Sequence, residues 1–231
     1  MIPLRDNVHA DHYPLVNVAL IWLNIVVFLY EISLGPHLER FLALYAMVPH
    51  QIFTGTSPAG WLPLLTSMFL HGGVMHLAGN MLFLWIFGNN VEDYFGSIKF
   101  LLFYLVSGFA AIALYTLFNP GSEVPLVGAS GAIAGIMGAY LVLHPRAEIT
   151  CLIVFFFIQF VVLPAKVVLG IWFGLQILMS LLGSSTGGGV AWLAHVGGFV
   201  FGYLILKALV KFRGDGNVSS GDRQRIYRMQ W

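Results

Sequence analysis

Charged side chains are scarce in this sequence. Only 9% of its 231 residues are charged, whereas 58% are hydrophobic. A soluble globular domain carries about 25% charged residues, so the composition excludes an ordinary soluble domain. The mean hydropathy of +0.84 agrees with this. The net charge is only +1, and we expect no nucleic-acid partner.

Cysteine and targeting signals are equally sparse. The single cysteine, Cys151, excludes an internal disulfide and is interpreted as a buried, inert thiol. The first apolar run is too long for a secretory signal peptide, and Glu31 lies where a small-residue cleavage site would be needed. We predict one membrane domain, residues 1–212. A basic cytoplasmic tail, residues 213–231, is predicted to be disordered.

Long apolar runs make up about half of the chain. A transmembrane helix needs about 20 apolar residues, with a range of about 17–25, and six runs meet or approach this length. The predicted spans are residues 14–32, 73–91, 98–118, 128–143, 165–182 and 190–210. We therefore predict an all-α membrane protein built as a six-helix bundle.

A further apolar stretch, "ITCLIVFFFIQFVVLPAK" at residues 149–166, is rich in β-branched and aromatic residues and contains Pro164. As a seventh span it would put the two termini on opposite sides of the membrane. We interpret it as an interfacial segment in the loop before the fifth helix.

The lysines and arginines predict the orientation, because cytoplasmic loops are enriched in them. With six spans and a cytoplasmic N terminus, only Arg40 of the 11 basic residues falls outside. The others are Arg5, Lys99, Arg146, Lys166, Lys207, Lys211, Arg213, Arg223, Arg225 and Arg228. We expect both termini in the cytoplasm. A prokaryotic cytoplasmic membrane is the expected location of such a minimal chain.

Uncharged polar residues inside the spans are informative, because burying an unpaired polar group in hydrocarbon is costly. His76 and Asn80 lie four residues apart in the second span and share one helix face. His71 lies just ahead of them. Ser130 and His195 lie near the starts of the fourth and sixth spans.

Glycines indicate that the fourth and sixth spans pack together, because small residues let helix backbones approach closely in a membrane. Docking their glycine faces would bring Ser130 near His195. The glycines assigned to this packing are Gly128, Gly131, Gly135, Gly198 and Gly202.

The fourth span is short for a membrane helix. At about 1.5 Å per residue it covers about 24 Å of a hydrocarbon core of about 30 Å, so the loop before it must dip inward. Ser130 would then lie below the membrane surface but beside water.

Such a serine can act as a nucleophile if a histidine takes its proton. No Asp or Glu lies in the interior of a span, since Glu31 is at the end of the first. A catalytic site would therefore be a Ser–His dyad in which packing, not a carboxylate, holds His195. The first turn of the helix would offer free backbone N–H groups to an oxyanion.

Each polar residue also has another interpretation. Ser130 can be a packing residue, Asn80 can bond a neighbouring helix, and an intramembrane histidine can relay protons. His71, His76 and His195 are enough in number for a catalytic zinc site, but no HExxH motif supports one. We expect no metal and no cofactor. A transporter or channel would carry more ionisable residues inside its spans.

Three motifs occur in order on the second, fourth and sixth spans: "HLAGN" at residues 76–80, "GASG" at 128–131 and "AHVGGFVFG" at 194–202. Together they resemble the rhomboid family of intramembrane serine proteases, over essentially the whole chain. The resemblance implies a six-helix bundle with a short fourth helix that carries the nucleophile. It also implies a re-entrant, partly helical first loop, about residues 33–72, and a water-filled cavity open to the outside.

The same resemblance implies roles for the site residues. Ser130 would be the nucleophile and His195 the general base. The backbone N–H of Ser130 and the side chains of His76 and Asn80 would form the oxyanion hole. The substrates would be transmembrane proteins, with single-span proteins the expected class, cleaved within the lipid bilayer. A non-catalytic relative would be expected to lack Ser130 or His195, and both are present.

Two further expectations concern access and orientation. The loop "GSSTGGG" at residues 183–189 would cap the cavity, and the fifth span near Trp172 and Phe173 would act as a lateral gate. Ala134 stands where some family members carry a tyrosine stacked on the catalytic histidine, so other neighbours must orient His195.

Overall fold

The structure is a computed structural model that describes residues 1–154, 157–182 and 191–215, with side chains described as far as residue 212. Its helices are α1 (Leu15–Ser33), α2 (Leu38–Tyr45), α3 (Pro49–Thr54), α4 (Pro63–Thr66), α5 (Val74–Phe95), α6 (Ser97–Phe118), α7 (Ser130–Leu143), α8 (Ala165–Leu182) and α9 (Trp192–Asp215). Its strands are β1 (Ile2–Asp6), β2 (Glu148–Val154) and β3 (Ile158–Pro164). A long helix overlaps each of the six predicted spans.

Four described helical stretches, those of α1, α6, α8 and α9, are long and apolar enough to cross a membrane. Helix α5 meets the same criterion together with the short segment Pro63–Phe69, from which it is bent by 89°. The 14 residues of α7 form a shorter apolar helix. The prediction of a mostly helical membrane bundle is confirmed, whereas the count of six spans stays a prediction.

Helix α7 lies at the centre of the bundle, in contact with α5, α6, α8 and α9. Most of its side chains are buried, including the large rings and chains of Tyr140, Ile136 and Met137. Helix α1 packs on the outside, against α5 and α6. The helix that begins at Ser130 is therefore surrounded by protein rather than lipid along most of its length.

The first loop is partly helical, as the resemblance implied. It contains α2, α3 and α4 and two short 3₁₀ turns, Gly35–His37 and Ser67–Phe69. An isolated bridge joins Met47 to Leu126, the loop residue ahead of α7. The first loop is thus fastened to the segment that leads to Ser130.

The segment predicted to be interfacial forms a β-hairpin rather than a seventh helix. Strands β2 and β3 pair antiparallel, with Glu148 opposite Pro164, and β1 pairs antiparallel with the other edge of β2. This three-stranded sheet is an addition to the predicted helical fold. Val154, Phe157, Ile158, Phe160 and Val162 are all exposed, and their placement at the membrane interface stays a prediction.

A buried carboxylate in the last turn of α5 binds backbone N–H groups of α1. Glu92 is 3% exposed, and its carboxylate accepts hydrogen bonds from the backbone N–H of Val16 (3.0 Å) and Asn17 (2.7 Å) at the start of α1. The hydroxyl of Ser97 donates a third bond to it, at 2.6 Å. Because the first N–H groups of a helix lack partners within the helix, Glu92 satisfies and stabilises this end of α1.

The predicted basic tail falls mostly outside the described residues. Helix α9 continues to Asp215, and residues 216–231 are not described. The predicted cavity cap at residues 183–189 also lies outside the described part of the chain.

Candidate active site

Ser130 and His195 form a hydrogen-bonded pair. Ser130 is the first residue of α7, and His195 lies in the first turn of α9. Nε2 of His195 is 2.7 Å from Oγ of Ser130. His195 is 9% exposed and Ser130 is half-buried, so the pair is largely shielded from solvent. A serine hydroxyl this close to an imidazole nitrogen can transfer its proton directly.

The pair forms because α7 and α9 lie backbone to backbone. A Cβ added to Gly198 would overlap the carbonyl oxygen of Gly131, and one added to Gly202 would overlap that of Gly135. Gly131 and Gly135 in turn leave no room for a side chain against α6, where Ala111 and Ser107 lie. Each of these glycines is therefore required by close packing.

The turn before α7 depends on Gly128. Its φ of +125° is one that residues with a side chain rarely adopt, and a Cβ there would lie 2.8 Å from Cε1 and Nε2 of His76. The backbone N–H of Gly128 donates to the carbonyl of Ser67 at 2.8 Å. Gly128 thus allows the α5 histidine to lie directly against the turn that delivers Ser130.

Asn80 and His71 are joined by a side-chain hydrogen bond of 2.9 Å between Nδ2 and Nε2. The other ring nitrogen of His71 is 3.2 Å from the carbonyl of Phe69. A carbonyl only accepts, so Nδ1 of His71 donates to it and Nε2 accepts from Asn80. The amide NH₂ of Asn80 has a second hydrogen that this bond does not use.

Glu31 supports the same region from α1. It is 2% exposed, and both of its carboxylate oxygens lie 3.2 Å from the backbone N of His71. The only role considered for His71 from the sequence was that of a zinc ligand with His76 and His195. In the structure it connects a buried carboxylate to the amide of Asn80.

His195 has a second hydrogen-bond partner that the sequence analysis missed. Its Nδ1 lies 2.8 Å from Oε1 of Gln176 on α8. The expectation that packing alone holds His195 is therefore corrected, since an amide oxygen occupies the place that a carboxylate has in a triad. The signal was present in the sequence, because Gln176 is the only amide side chain in α8.

Aromatic rings complete the surroundings of His195. The ring of Trp172 lies 5.8 Å away at 33°, and that of Trp192 lies 6.2 Å away at 87°. Ala134 is fully buried and offers no ring. The neighbours that must replace the family's tyrosine are thus found on α8 and at the start of α9.

Trp172 and Phe173, the predicted gate residues, both pack against Phe199 of α9, the Phe173 ring stacking on it at 4.5 Å. Trp172 also contacts Phe83 of α5, with ring centroids 6.5 Å apart. The two residues therefore lie at the boundary between α8 and the rest of the bundle, with Trp172 beside His195.

A cavity of about 770 Å³ opens at the end of the bundle where α5, α7 and α9 begin. His76, Asn80, Gly128, Ser130, Trp172 and His195 all line it. Within the described residues, no three His, Cys, Asp or Glu side chains are grouped in a way that could hold a metal ion. The chemistry that the cavity lining offers is a serine hydroxyl, an imidazole that can accept its proton, and amide and imidazole donors.

The fold and the site define a helical membrane protein with a serine–histidine pair in a cavity at one end of its bundle. Residues 58–212 match the family model of the Rhomboid domain. The chain belongs to the rhomboid family.

Individual relatives agree with this assignment. RHOMBOID-like protein 4 of Arabidopsis thaliana is 39% identical over 146 residues, which cover 63% of this chain and 33% of that protein. Rhomboid protein 1, mitochondrial, of Saccharomyces cerevisiae is 30% identical over 210 residues, 84% of this chain and 54% of that protein. Rhomboid protease GluP of Bacillus subtilis is 47% identical over 81 residues, 35% of this chain and 15% of that protein. The matched segments thus span at most 54% of these relatives' own lengths.

Proposed function

We propose that this protein is an intramembrane serine endopeptidase that cleaves peptide bonds in or near transmembrane segments of other proteins. The observation that carries the proposal is the 2.7 Å hydrogen bond between Ser130 and His195 inside a cavity of a membrane bundle. Membership of the rhomboid family supports it, as does the similarity to a relative named as a protease.

The reaction begins when Oγ of Ser130 attacks the scissile carbonyl carbon while its proton passes to Nε2 of His195. His195 then gives that proton to the leaving amine, and an acyl-enzyme remains on Ser130. A water molecule, deprotonated by His195, then attacks the ester, and His195 returns that proton to Oγ of Ser130 as the acyl C–O bond breaks and the second product leaves. Ser130 is thus the nucleophile of the first half and the leaving group of the second, and His195 acts as base and then as acid in both halves.

The oxyanion of each tetrahedral intermediate is stabilised by donors around Ser130. The backbone N–H of Ser130 belongs to the first turn of α7 and has no partner within the helix. The amide of Asn80 and the ring of His76 line the same cavity. Donors fixed in place before the reaction stabilise developing charge without having to reorganise.

Substrates reach the site as locally unwound segments. A transmembrane helix keeps its carbonyls in internal hydrogen bonds, so cleavage requires a stretch that leaves the helix at little cost. Glycine and other weak helix formers near the cut site lower that cost. Single-span proteins are the substrate class that we propose.

Lateral entry takes place between α5 and α8, where Trp172 contacts Phe83. Parting α8 from α5 at this contact opens the cavity toward the lipid. Trp172 and Phe173 are the proposed gate residues.

The site faces the side of the membrane opposite the N terminus. The cavity lies where α5, α7 and α9 begin, whereas β1 contacts the far ends of α5 and α7 through Asn90 and Tyr140. The bias of lysine and arginine supports a cytoplasmic location for the β1 end. We place the protein in a prokaryotic cytoplasmic membrane with the cavity open to the outside.

The test is reconstitution of the purified protein in liposomes with a panel of single-span substrates, comparing wild type with Ser130→Ala. Cleavage within or beside the transmembrane segment by wild type alone is expected. Equal cleavage by Ser130→Ala would refute the assignment of the nucleophile.

A further inference from the structure

We propose that Gln176 is a positioning residue, whose side-chain oxygen holds His195 in the tautomer and orientation that let it accept the proton of Ser130. The proposal rests on the proposed function, because it concerns how the same serine is activated. It adds a third member, from α8, to a pair contributed by α7 and α9.

Three hydrogen bonds in series carry the inference. Nε2 of Gln176 lies 3.2 Å from the backbone carbonyl of Trp172, and Oε1 of Gln176 lies 2.8 Å from Nδ1 of His195. Nε2 of His195 lies 2.7 Å from Oγ of Ser130. The series runs from the backbone of α8 to the nucleophile without a gap.

The carbonyl of Trp172 determines which way the amide of Gln176 faces. A carbonyl oxygen only accepts hydrogen bonds, so the amide nitrogen must face it and donate. The amide oxygen then faces His195. The reversed amide would put two oxygens together at the Trp172 end and is excluded by their repulsion.

The amide of Gln176 in turn determines the tautomer of His195. An amide oxygen carries no hydrogen, so Nδ1 of His195 must be the protonated nitrogen. A neutral imidazole has one N–H, and Nε2 therefore presents its lone pair to Ser130. The opposite tautomer would point an N–H at the serine and could not take its proton.

Burial makes this arrangement selective. Gln176 is 5% exposed and His195 is 9% exposed, so water cannot replace a lost partner freely. An unpaired buried polar group is costly, and the wrong tautomer would leave both Nδ1 and the amide oxygen without a donor. The described arrangement pairs every one of these atoms.

The same bond persists through the proton transfer. When the O–H bond of Ser130 breaks, its proton joins Nε2, and the imidazolium retains its Nδ1–H bond to Oε1 of Gln176. The negative end of the amide dipole then faces the cation. When the proton leaves for the amine of the product, Nδ1 remains protonated and the starting tautomer is restored.

The experiment compares wild type, Ser130→Ala, Gln176→Leu, Gln176→Glu and Leu175→Ala as full-length proteins in liposomes. Leucine matches glutamine in size but cannot accept a hydrogen bond, whereas glutamate retains an acceptor oxygen. Leu175 is the adjacent residue of α8 and is 46% exposed, so its truncation controls for a general disturbance of the helix. The readouts are kcat and KM on a single-span substrate and the ¹⁵N shifts of the His195 ring, assigned by comparison with His195→Asn.

We expect Gln176→Leu to lower kcat by about 10- to 100-fold, the size of loss typical when the partner that orients a metal-bound histidine is removed, with KM little changed. Its ¹⁵N spectrum should show signals from the His195 tautomer that is protonated at Nε2. Gln176→Glu should keep the wild-type tautomer and more of kcat than Gln176→Leu, although its second oxygen faces the Trp172 carbonyl and costs some activity, and Leu175→Ala should resemble wild type.

Wild-type kcat together with a wild-type ¹⁵N spectrum in Gln176→Leu would overturn the proposal. An equal loss of kcat in Gln176→Leu and Gln176→Glu with an unchanged tautomer would also overturn it, since that pattern is a structural effect. If wild type itself does not cleave, the proposed function fails instead, and the ¹⁵N shifts alone still decide whether Gln176 sets the tautomer.

Discussion

Oγ of Ser130 lies 2.7 Å from Nε2 of His195, although 65 positions separate the two residues in the chain. The distance depends on the backbone contact of α7 with α9, in which Gly198 and Gly202 approach the carbonyls of Gly131 and Gly135. The catalytic proposal therefore makes predictions about helix packing as well as about chemistry.

Substitution of Gly202 by alanine should destabilise the protein and reduce activity. The new Cβ would lie 2.6 Å from the carbonyl carbon of Gly135 and closer still to its oxygen, so α7 and α9 must move apart. Overpacking of this kind costs about 1–3 kcal/mol. The free energy of unfolding in detergent, measured together with the cleavage rate, checks this.

The matched control for that substitution is Gly174→Ala on α8, where an added Cβ meets no atom of the described part of the chain within 4 Å. It should leave the unfolding free energy unchanged or slightly higher, because alanine favours a helix more than glycine. Equal losses in Gly174→Ala and Gly202→Ala would contradict the argument from close packing.

Asn80→Ala should lower kcat by about 10²–10³-fold, the usual effect of removing one oxyanion donor. The substrate's ground state gains little from that donor, so KM should change much less than kcat. Steady-state kinetics on a single-span substrate measures both. A rise in KM at constant kcat would instead assign Asn80 to substrate binding.

Asp6, on β1 outside the spans, should make stability depend on pH. Burial raises the pKa of its carboxyl above the ordinary 3.8, although hydrogen bonds from Tyr140 and Asn90 lower it in part. A raised pKa in the folded state means that the stability contributed by the protonated form is complete below pH 3.8 and is lost as pH rises through the folded pKa.

Relative to Asp6→Asn, the wild-type protein should therefore lose unfolding free energy as pH rises across the acid range, and the difference should level off above the folded pKa. Unfolding in detergent at a series of pH values measures the difference. If the unfolding free energy of wild type instead rises with pH relative to Asp6→Asn, the predicted direction of the pH dependence is wrong.

A cross-link between α5 and α8 should block cleavage of membrane substrates without blocking the site. Phe83 and Trp172 are in ring contact across this boundary, with centroids 6.5 Å apart, so we choose the double variant Phe83→Cys/Trp172→Cys and join the two thiols with a short bis-maleimide. The cross-linked form should fail to cleave while a small fluorophosphonate still labels Ser130, and the same variant without the reagent is the control. Unchanged cleavage after cross-linking would count against the lateral gate.

The helices could be predicted from the sequence because each span is a long apolar run, and apolar length is a local property of the chain. Helix α8 begins at Ala165 and ends at Leu182, the bounds predicted for the fifth span. The start of α7 at Ser130 was harder to place, since Gly128 continues the apolar run but turns the chain with a φ of +125°.

The sheet could not be predicted in the same way. The residues of β2 and β3 are of the β-branched and aromatic types that favour strands, and this composition, with the count of spans, favoured an interfacial segment over a seventh span. Their partner β1 pairs with β2 from the other end of the sequence, with Ile2 opposite Leu152. Pairing between such distant segments leaves no local pattern.

The candidate site could likewise be predicted only in part, because some of its contacts join distant segments of the chain. Its polar residues could be found because they are rare inside apolar spans, and the glycines indicated which helices meet. Gln176 was missed because the search for a third member was restricted to carboxylates, although a neutral amide can also accept from Nδ1. The bond from Asn80 to His71 depends on side-chain directions that residue spacing does not determine.

The most direct test of the central claim is labelling of the purified protein with a fluorophosphonate, which reacts with serines activated by a base. Wild type and Ser107→Ala should both be labelled on Ser130, as located by mass spectrometry. Ser107 is the control because it is a buried serine of α6 that has no hydrogen-bond partner among the described residues. Ser130→Ala and His195→Ala should remain unlabelled while staying folded. Labelling of folded His195→Ala at the wild-type rate, or of wild type at another residue, would contradict the account.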